Sequence, residues 1–162
     1  MSYTQEDIWQ MLEQVSDPEV PVLSVVDLGV VRKVEIIDNI VEIDITPTYT
    51  GCPAMGAIEM GIKFLMIEKG IKCKINLVLS PAWTTDWMSE CGKKKLKAYG
   101  IAPPQYDGFD DSVLFSTPKG IICPHCNSTN TLLISQFGST ACKSLYKCLD
   151  CIEPFDYFKC HK

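Results

Sequence analysis

The sequence predicts a small α/β domain followed by a cysteine-rich ribbon. Apolar periodicity gives the order helix, strand, strand, helix, strand, helix, which is typical of an α/β (α+β) sandwich with a small mixed sheet covered by helices. Two C-x-x-C pairs near the end predict a small C-terminal four-cysteine zinc ribbon. A stretch rich in proline and acidic residues separates the two parts. We therefore predict an α/β domain at 1–102, a linker or arm at 103–119 and the ribbon at 120–162.

The first predicted helix begins at Thr4, whose side chain can cap it together with Asp7 three residues on. Apolar residues recur with helical spacing after this cap, and we expect the helix to end at Asp17, before a proline. Asp17, Glu19 and Asp27 are close in sequence and are candidates for metal binding or acid–base chemistry. The alternative, which the sequence favours, is that these carboxylates initiate and close turns.

Two β-rich runs follow at 30–37 and 40–45. They are separated by Asp38-Asn39, a two-residue turn of the hairpin type. Apolar and acidic residues alternate in the second run, which predicts a half-buried antiparallel pair. The second strand of this pair leads into the segment T-P-T-Y-T-G-C-P-A-M at 46–55, where a strand ends and a helix begins.

Cys52 is the candidate functional residue of this segment. A thiol at the first turn of a helix meets unpaired backbone N–H groups and the positive end of the helix dipole, which favour the thiolate. Thr50 and Gly51 belong to the same polar loop, at a strand's carboxyl end where sites tend to lie in α/β folds. The alternative is that Cys52 is a small core residue, because cysteine is among the most buried residue types.

A third strand is predicted from Cys73 to Leu79, after a second amphipathic helix. It leads into S-P-A-W-T-T-D-W, a further strand-to-helix junction that contains Thr84. If the second and third strands are neighbours, Thr84 lies near the Cys52 loop. The last helix, at 87–99, carries a run of lysines typical of a solvated helix end.

The ribbon is the strongest signal in the chain. Its pairs are separated by 21 residues, which lets four sulfurs meet at a tetrahedral site while the intervening residues form a β-hairpin. Four thiolates suit a structural Zn²⁺, although iron in a rubredoxin-like or cluster site is a second reading. The predicted ligands are Cys123, Cys126, Cys148 and Cys151.

Cys142, Cys160 and His161 are surplus to this ligand set. Any of them could replace a ligand, and Cys142 could be a second reactive thiol, but spare buried cysteines near a zinc knuckle are the plainer account. The hairpin also carries many apolar and aromatic residues, which predict a surface that docks on the first domain or on a partner.

Composition excludes several classes of function. The net charge of −5 offers no global attraction for nucleic acid or for an anionic membrane. No apolar window reaches the roughly 18 residues needed to span a bilayer, and the first residues do not read as a secretory signal. Nine cysteines without such a signal indicate a reducing compartment, so we expect a cytoplasmic protein.

The segments around Asp17, Cys52 and Thr84 resemble the small domain of iron–sulfur cluster assembly factors of the SufT type. The whole chain, including C-P-H-C and F-G-S-T-A-C-K-S-L-Y-K-C-L-D-C, is similar to the PaaD family of accessory proteins. These accompany the ring-epoxidising phenylacetyl-CoA oxygenase of aerobic phenylacetate catabolism. The resemblance implies that Cys52 is the family's signature cysteine, with Asp17, Glu19 and Thr84 among its characteristic positions.

The resemblance further implies a maturation factor rather than an enzyme, one that assists iron–sulfur cluster or di-iron assembly for the oxygenase or its reductase. Cys52 would bind iron or a cluster transiently, and a homodimer would supply further ligands to a lone thiol. Two alternatives stay open: a stoichiometric structural or docking subunit of the oxygenase, and a thiol enzyme using Cys52 as nucleophile.

Overall fold

The computed structural model describes residues 3–105 and 120–159. The chain divides into two compact units, Met1–Gly92 and Lys93–His161. The bounds predicted from the sequence, 1–102, 103–119 and 120–162, stay a prediction, because most of the predicted arm lies outside the described residues. Within the described ranges, no helix is long and apolar enough to cross a membrane.

The predicted order of elements is confirmed. The structure contains α1 (Gln5–Leu12), β1 (Val31–Ile37), β2 (Ile40–Ile45), α2 (Ala54–Glu68), β3 (Cys73–Leu77), a 3-10 turn (Thr85–Trp87), α3 (Glu90–Tyr99), β4 (Ile101–Ala102), β5 (Thr131–Ser135), β6 (Lys143–Cys148) and β7 (Pro154–Phe158).

The first helix ends earlier than the sequence predicts. The predicted capping box is present, since the Thr4 side chain accepts from the Asp7 N–H while the Asp7 carboxylate accepts from the Thr4 N–H. The helix stops at Leu12 instead of continuing to Asp17. The reason is a competing pairing of the chain with itself: the Val25 N–H donates to the Val15 carbonyl at 2.8 Å, and the Asp17 N–H donates to Leu23 at 2.9 Å.

The first unit contains a mixed three-stranded sheet in the order β1-β2-β3. Strands β1 and β2 are antiparallel, and both turn residues, Asp38 (φ 49°) and Asn39 (φ 62°), have the positive φ of a type I′ hairpin. Strand β3 runs parallel to β2, with Ile75 opposite Ile43, and α2 is the crossover between them. The end of β3 is less buried than the alternation of apolar residues predicts: Leu77 is 58% exposed. The reason is that β3 is an edge strand of this sheet.

The second unit contains a four-stranded sheet in the order β4-β7-β6-β5, in which β5 and β6 form the predicted hairpin. Tyr146 stacks on Phe155 with ring centroids 5.9 Å apart and meets Tyr157 edge-on at 5.8 Å. These aromatic side chains therefore form the ribbon's own core instead of a docking surface. Leu132 and Phe137 remain exposed on the hairpin.

Gly29, between α1 and β1, is a position that only glycine fits. Its φ is +71°, and a Cβ there would lie 2.3 Å from the Trp87 carbonyl oxygen. Gly70 has a similar φ of +68°, but a Cβ there would meet nothing within 4 Å. The two glycines thus share the backbone requirement and differ in the space around them.

We expect Gly29→Ala to lower the free energy of unfolding by about 3 kcal/mol or more, because left-handed strain and a backbone clash add. Gly70→Ala is the matched control and should cost only about 1 kcal/mol, the strain alone. Urea unfolding of both variants measures the difference. Equal losses would contradict the close approach of Gly29 to Trp87.

Candidate functional site

The four predicted metal ligands lie together in the second unit. The sulfur atoms of Cys123, Cys126, Cys148 and Cys151 are all within 4.8 Å of one another. The Cys123 and Cys151 sulfurs are 3.7 Å apart, and those of Cys126 and Cys148 are 3.5 Å apart. A tetrahedral ion with metal–sulfur bonds of about 2.3 Å needs sulfurs about 3.8 Å apart. The cluster therefore fits Zn²⁺, with every coordination position taken by the protein.

Two similar turns build this cluster. The Cys123 N–H donates to the Ser128 carbonyl and the Cys148 N–H to the Glu153 carbonyl, each at 2.9 Å. The residue after the second cysteine of each pair, Asn127 or Ile152, has φ above +60°. Each pair thus forms a tight loop that brings its two sulfurs to one side.

The environment of the thiols differs around the cluster. Backbone N–H groups of Cys151 and Asp150 lower the pKa of Cys148 to about 7, against the opposing effect of burial. The Glu153 N–H acts to lower the pKa of Cys151. Burial opposes this, together with the sulfurs of Cys148, Cys126 and Cys123, and the pKa of Cys151 is raised to about 12. Four sulfurs this close cannot all ionise without a cation, which is the chemistry of a metal site.

A polar bridge joins the two loops of the cluster. Ser128 donates to Asp150, and the Asn130 amide donates to the other oxygen of the same carboxylate at 2.8 Å. These two hydrogen bonds lower the pKa of Asp150. Asp150 therefore stays ionised and ties the second loop to the first.

Of the surplus residues, Cys142 is buried, with its sulfur 3.0 Å from the Thr140 hydroxyl. This agrees with the interpretation of Cys142 as a buried cysteine. Cys160 and His161 lie outside the described residues.

Cys52 lies in the loop between β2 and α2, two residues before the helix begins. Its thiol is half-buried, and its backbone N–H donates to the Tyr49 carbonyl at 3.1 Å. The Thr48 hydroxyl donates to the Cys52 sulfur at 3.9 Å. Sequence reasoning did not single out Thr48, and only its place in the T-P-T-Y-T run could have indicated it.

The start of α2 has no side-chain cap, although the Met55 N–H donates to the Cys52 carbonyl at 3.4 Å. Its N-cap is Pro53, whose side chain makes no capping hydrogen bond, so the first N–H groups of the helix receive no acceptor from a cap side chain. Thr50 and Gly51 are exposed, and Gly51 has φ +79° at the bend. The thiol is thus held by its backbone and remains reachable from solvent.

Thr84 follows the neighbouring strand. Because β2 and β3 are parallel neighbours, the loops after them leave the same edge of the sheet, as the sequence predicted on that condition. Thr84 is half-buried, and its carbonyl accepts from the Trp87 N–H at 3.1 Å. That Thr84 acts together with Cys52 stays a prediction.

Asp17 and Glu19 lie in the loop between α1 and β1. The Asp17 carboxylate is buried and accepts from the backbone N–H groups of Glu19 at 2.8 Å and Val20 at 2.7 Å. Asp27 is also buried and accepts from the Ser89 hydroxyl at 2.7 Å. These contacts match the turn-forming alternative, while a chemical role for Asp17 and Glu19 stays a prediction.

Comparison with known proteins relates both units to described families. Residues 5–66 match a model described as iron-sulfur cluster assembly protein, and residues 110–159 match the PaaD zinc beta ribbon domain. The chain is 47% identical over 155 residues to the "Putative 1,2-phenylacetyl-CoA epoxidase" subunit of Escherichia coli (strain K12), covering 95% of this chain and 92% of that protein.

Two further relatives match about half of the chain. An Fe-S protein maturation auxiliary factor of Porphyromonas gingivalis is 41% identical over 90 residues, covering 54% of this chain and 85% of that protein. A crystal structure of a domain of unknown function, DUF59, from Bacillus anthracis superposes with a TM-score of 0.53 at 30% identity. It covers 57% of this chain and 90% of that one.

We expect Cys126→Ser to lose most of the bound zinc and to unfold the ribbon, because three thiolates leave the tetrahedron incomplete. Zinc per chain, measured by atomic emission, and protease resistance of the ribbon report the two effects. The control is Cys91→Ser, which changes an exposed cysteine of α3. Full zinc in Cys126→Ser would mean that a surplus residue such as Cys160 or His161 has taken its place.

We expect Asp17→Ala to lower the free energy of unfolding by about 2 kcal/mol, because two backbone N–H groups lose their acceptor in a buried turn. Asp17→Asn keeps an acceptor oxygen and should cost less than about 1 kcal/mol. Denaturant unfolding compares the two variants. Equal destabilisation by Asn and Ala would contradict this hydrogen-bonding role.

Proposed function

We propose a function from the fact that the chain belongs to the PaaD family, which joins an iron–sulfur assembly domain to a zinc ribbon. The proposed function is that of an accessory maturation factor for a phenylacetyl-CoA epoxidase complex. It assists assembly of an iron–sulfur cluster or a di-iron centre through Cys52, in the cytoplasm.

The position of Cys52 is the observation that carries this proposal. The thiol lies within the assembly-type domain, in the loop after the central strand β2, half-buried and next to the N-terminus of α2. A closed four-cysteine site cannot take on or release cargo without breaking its own fold, whereas a single accessible thiol can bind iron weakly and let it go. This contrast assigns transfer to Cys52 and a structural role to the ribbon.

Iron or a cluster is the cargo in this proposal, and the remaining ligands come from the client. A single thiol is a poor iron site, so release to a client rich in carboxylate or thiolate ligands is favourable. The partners are the oxygenase subunits, the reductase, or both. The exposed Leu132 and Phe137 of the ribbon offer apolar contacts for recognising them.

A docking or structural subunit of the oxygenase is the second candidate. It is favoured by the name of the Escherichia coli relative, which describes a subunit of the epoxidase. A thiol enzyme is less well supported, because the chain has only two histidines, His125 and His161, and both are more than 70 residues from Cys52 in sequence.

We expect Cys52→Ser to lower the iron or acid-labile sulfide content of one epoxidase component several-fold, because the transfer ligand is lost while the fold is kept. The measurement is metal content and epoxidase turnover of the complex produced alongside each variant. Cys73→Ser, which changes another half-buried cysteine of the same unit, is the matched control.

The component that loses its metal is the client. Full metal content and full turnover with Cys52→Ser would overturn the transfer proposal. Stable co-purification of the variant with the oxygenase would then favour the docking subunit.

A further inference from the structure

Arg32 is the only arginine in a chain whose other strong cations are all lysines. It lies near the start of β1, at a step in the ladder with β2. Val31 pairs with Ile45 and Lys33 pairs with Asp44, so β1 holds one residue more than β2 at this point. Such a β-bulge turns the side chain of the extra residue in a direction that regular pairing does not give.

The Arg32 side chain is held over an aromatic ring. Its Cζ atom lies 3.5 Å from the centroid of the Trp87 ring, which is a cation–π contact. The position of Trp87 is itself fixed, because its N–H donates to the Thr84 carbonyl at 3.1 Å and its Cβ would lie 2.8 Å from a Cβ built at Gly29. Arg32 is nevertheless exposed. A cation oriented in this way loses little freedom when an anion binds to it.

Arg32 has no anionic partner among residues 3–105 and 120–159. Its guanidinium makes no ion pair or hydrogen bond there, whereas the neighbouring Lys33 pairs with Glu35 at 2.8 Å. Partial burial lowers the pKa of Arg32, so the guanidinium has lost some water without gaining a counter-ion. Its planar fork of N–H donors is therefore available to an acceptor from another molecule.

The Arg32 and Trp87 pair lies at the edge of the sheet from which the Cys52 loop leaves. Antiparallel pairing places the amino end of β1 beside the carboxyl end of β2, and β2 leads into that loop. Trp87 follows β3 in the chain and lies against Gly29, just before β1. A group bound to Arg32 is thus held at the edge that also carries Cys52.

A carboxylate suits this cation better than a phosphate does. One guanidinium matches one carboxylate in charge and can bind it through two parallel N–H···O bonds. A phosphate monoester carries nearly two charges and calls for a second cation, but Lys33 is already paired. Arginine and tryptophan are also among the side chains most enriched at the centres of protein interfaces, which favours a protein as the source of the carboxylate.

We propose that Arg32, stacked on Trp87, binds a carboxylate side chain of the client protein and so orients the client at the edge of the sheet that carries Cys52. Two parallel hydrogen bonds fix the direction of the bound group as well as its position. This inference rests on the proposed function for the identity of the client, whereas binding at Arg32 does not require metal transfer.

The test is the binding of the full chain to the purified oxygenase and reductase components of the epoxidase, each measured by isothermal titration calorimetry. We expect the wild type to bind one component and Arg32→Gln to raise its Kd by about 10-fold or more, because a partner carboxylate loses its pair. Arg32→Lys should recover only part of this loss, since an ammonium group cannot form the bidentate pair. Circular dichroism and thermal unfolding check that each variant is folded.

Lys72→Gln is the matched control. It removes the same charge from an exposed residue just before β3, at the opposite edge of the sheet, and should leave the Kd unchanged. Equal losses for Arg32→Gln and Lys72→Gln would reveal only long-range attraction and would overturn the site. Arg32→Lys binding as tightly as the wild type would contradict the bidentate geometry. Inorganic phosphate that displaces the component at constant ionic strength would identify a phosphate site instead.

The same measurements separate this inference from the transfer proposal. If Arg32→Gln binds as tightly as the wild type while Cys52→Ser still lowers the metal content of the client, only the carboxylate site is wrong. If Arg32→Gln binds weakly while Cys52→Ser leaves the metal content full, the carboxylate site holds and transfer through Cys52 is wrong. A wild type that binds neither component would contradict both.

Discussion

The parallel pairing of β2 with β3 is the constraint on which the first unit depends. Two parallel strands cannot be joined by a tight turn, so the chain must cross over, and α2 is that crossover. The crossover has to begin at the carboxyl end of β2, which is where the loop with Cys52 lies. Because β3 ends at the same edge, the loop with Thr84 leaves the sheet there too.

The four ribbon cysteines and Cys52 have very different surroundings. The ribbon brings four sulfurs within 4.8 Å of one another and packs Cys123 and Cys148 into its aromatic core, so metal binding and folding are one process there. Cys52 is held by a turn and by the Thr48 hydroxyl, in a half-buried loop of a fold that has its own core. The first site can stabilise a domain, whereas the second is the one to which we assign the proposed transfer.

Helix α2 links these properties within the first unit. Its buried face covers the sheet, its N-terminus follows Cys52, and its outer face exposes Met60 and Phe64. One helix therefore covers the sheet on one side and begins at the loop that holds Cys52.

Local chemistry determined much of this protein from sequence alone. The Thr4 cap, the Asp38-Asn39 hairpin, the order of elements and the four ribbon ligands each depend on residues a few positions apart, or on a spacing that only one cluster satisfies.

Contacts distant in sequence decided the rest. The pairing of residues 15 to 25 ended α1 at Leu12, the Trp87 carbonyl fixed Gly29, and Tyr146, Phe155 and Tyr157 turned inward to form a core. Periodicity shows that a side chain is apolar, but only the tertiary structure decides whether another element covers it, as the exposed Phe64 and Leu77 demonstrate.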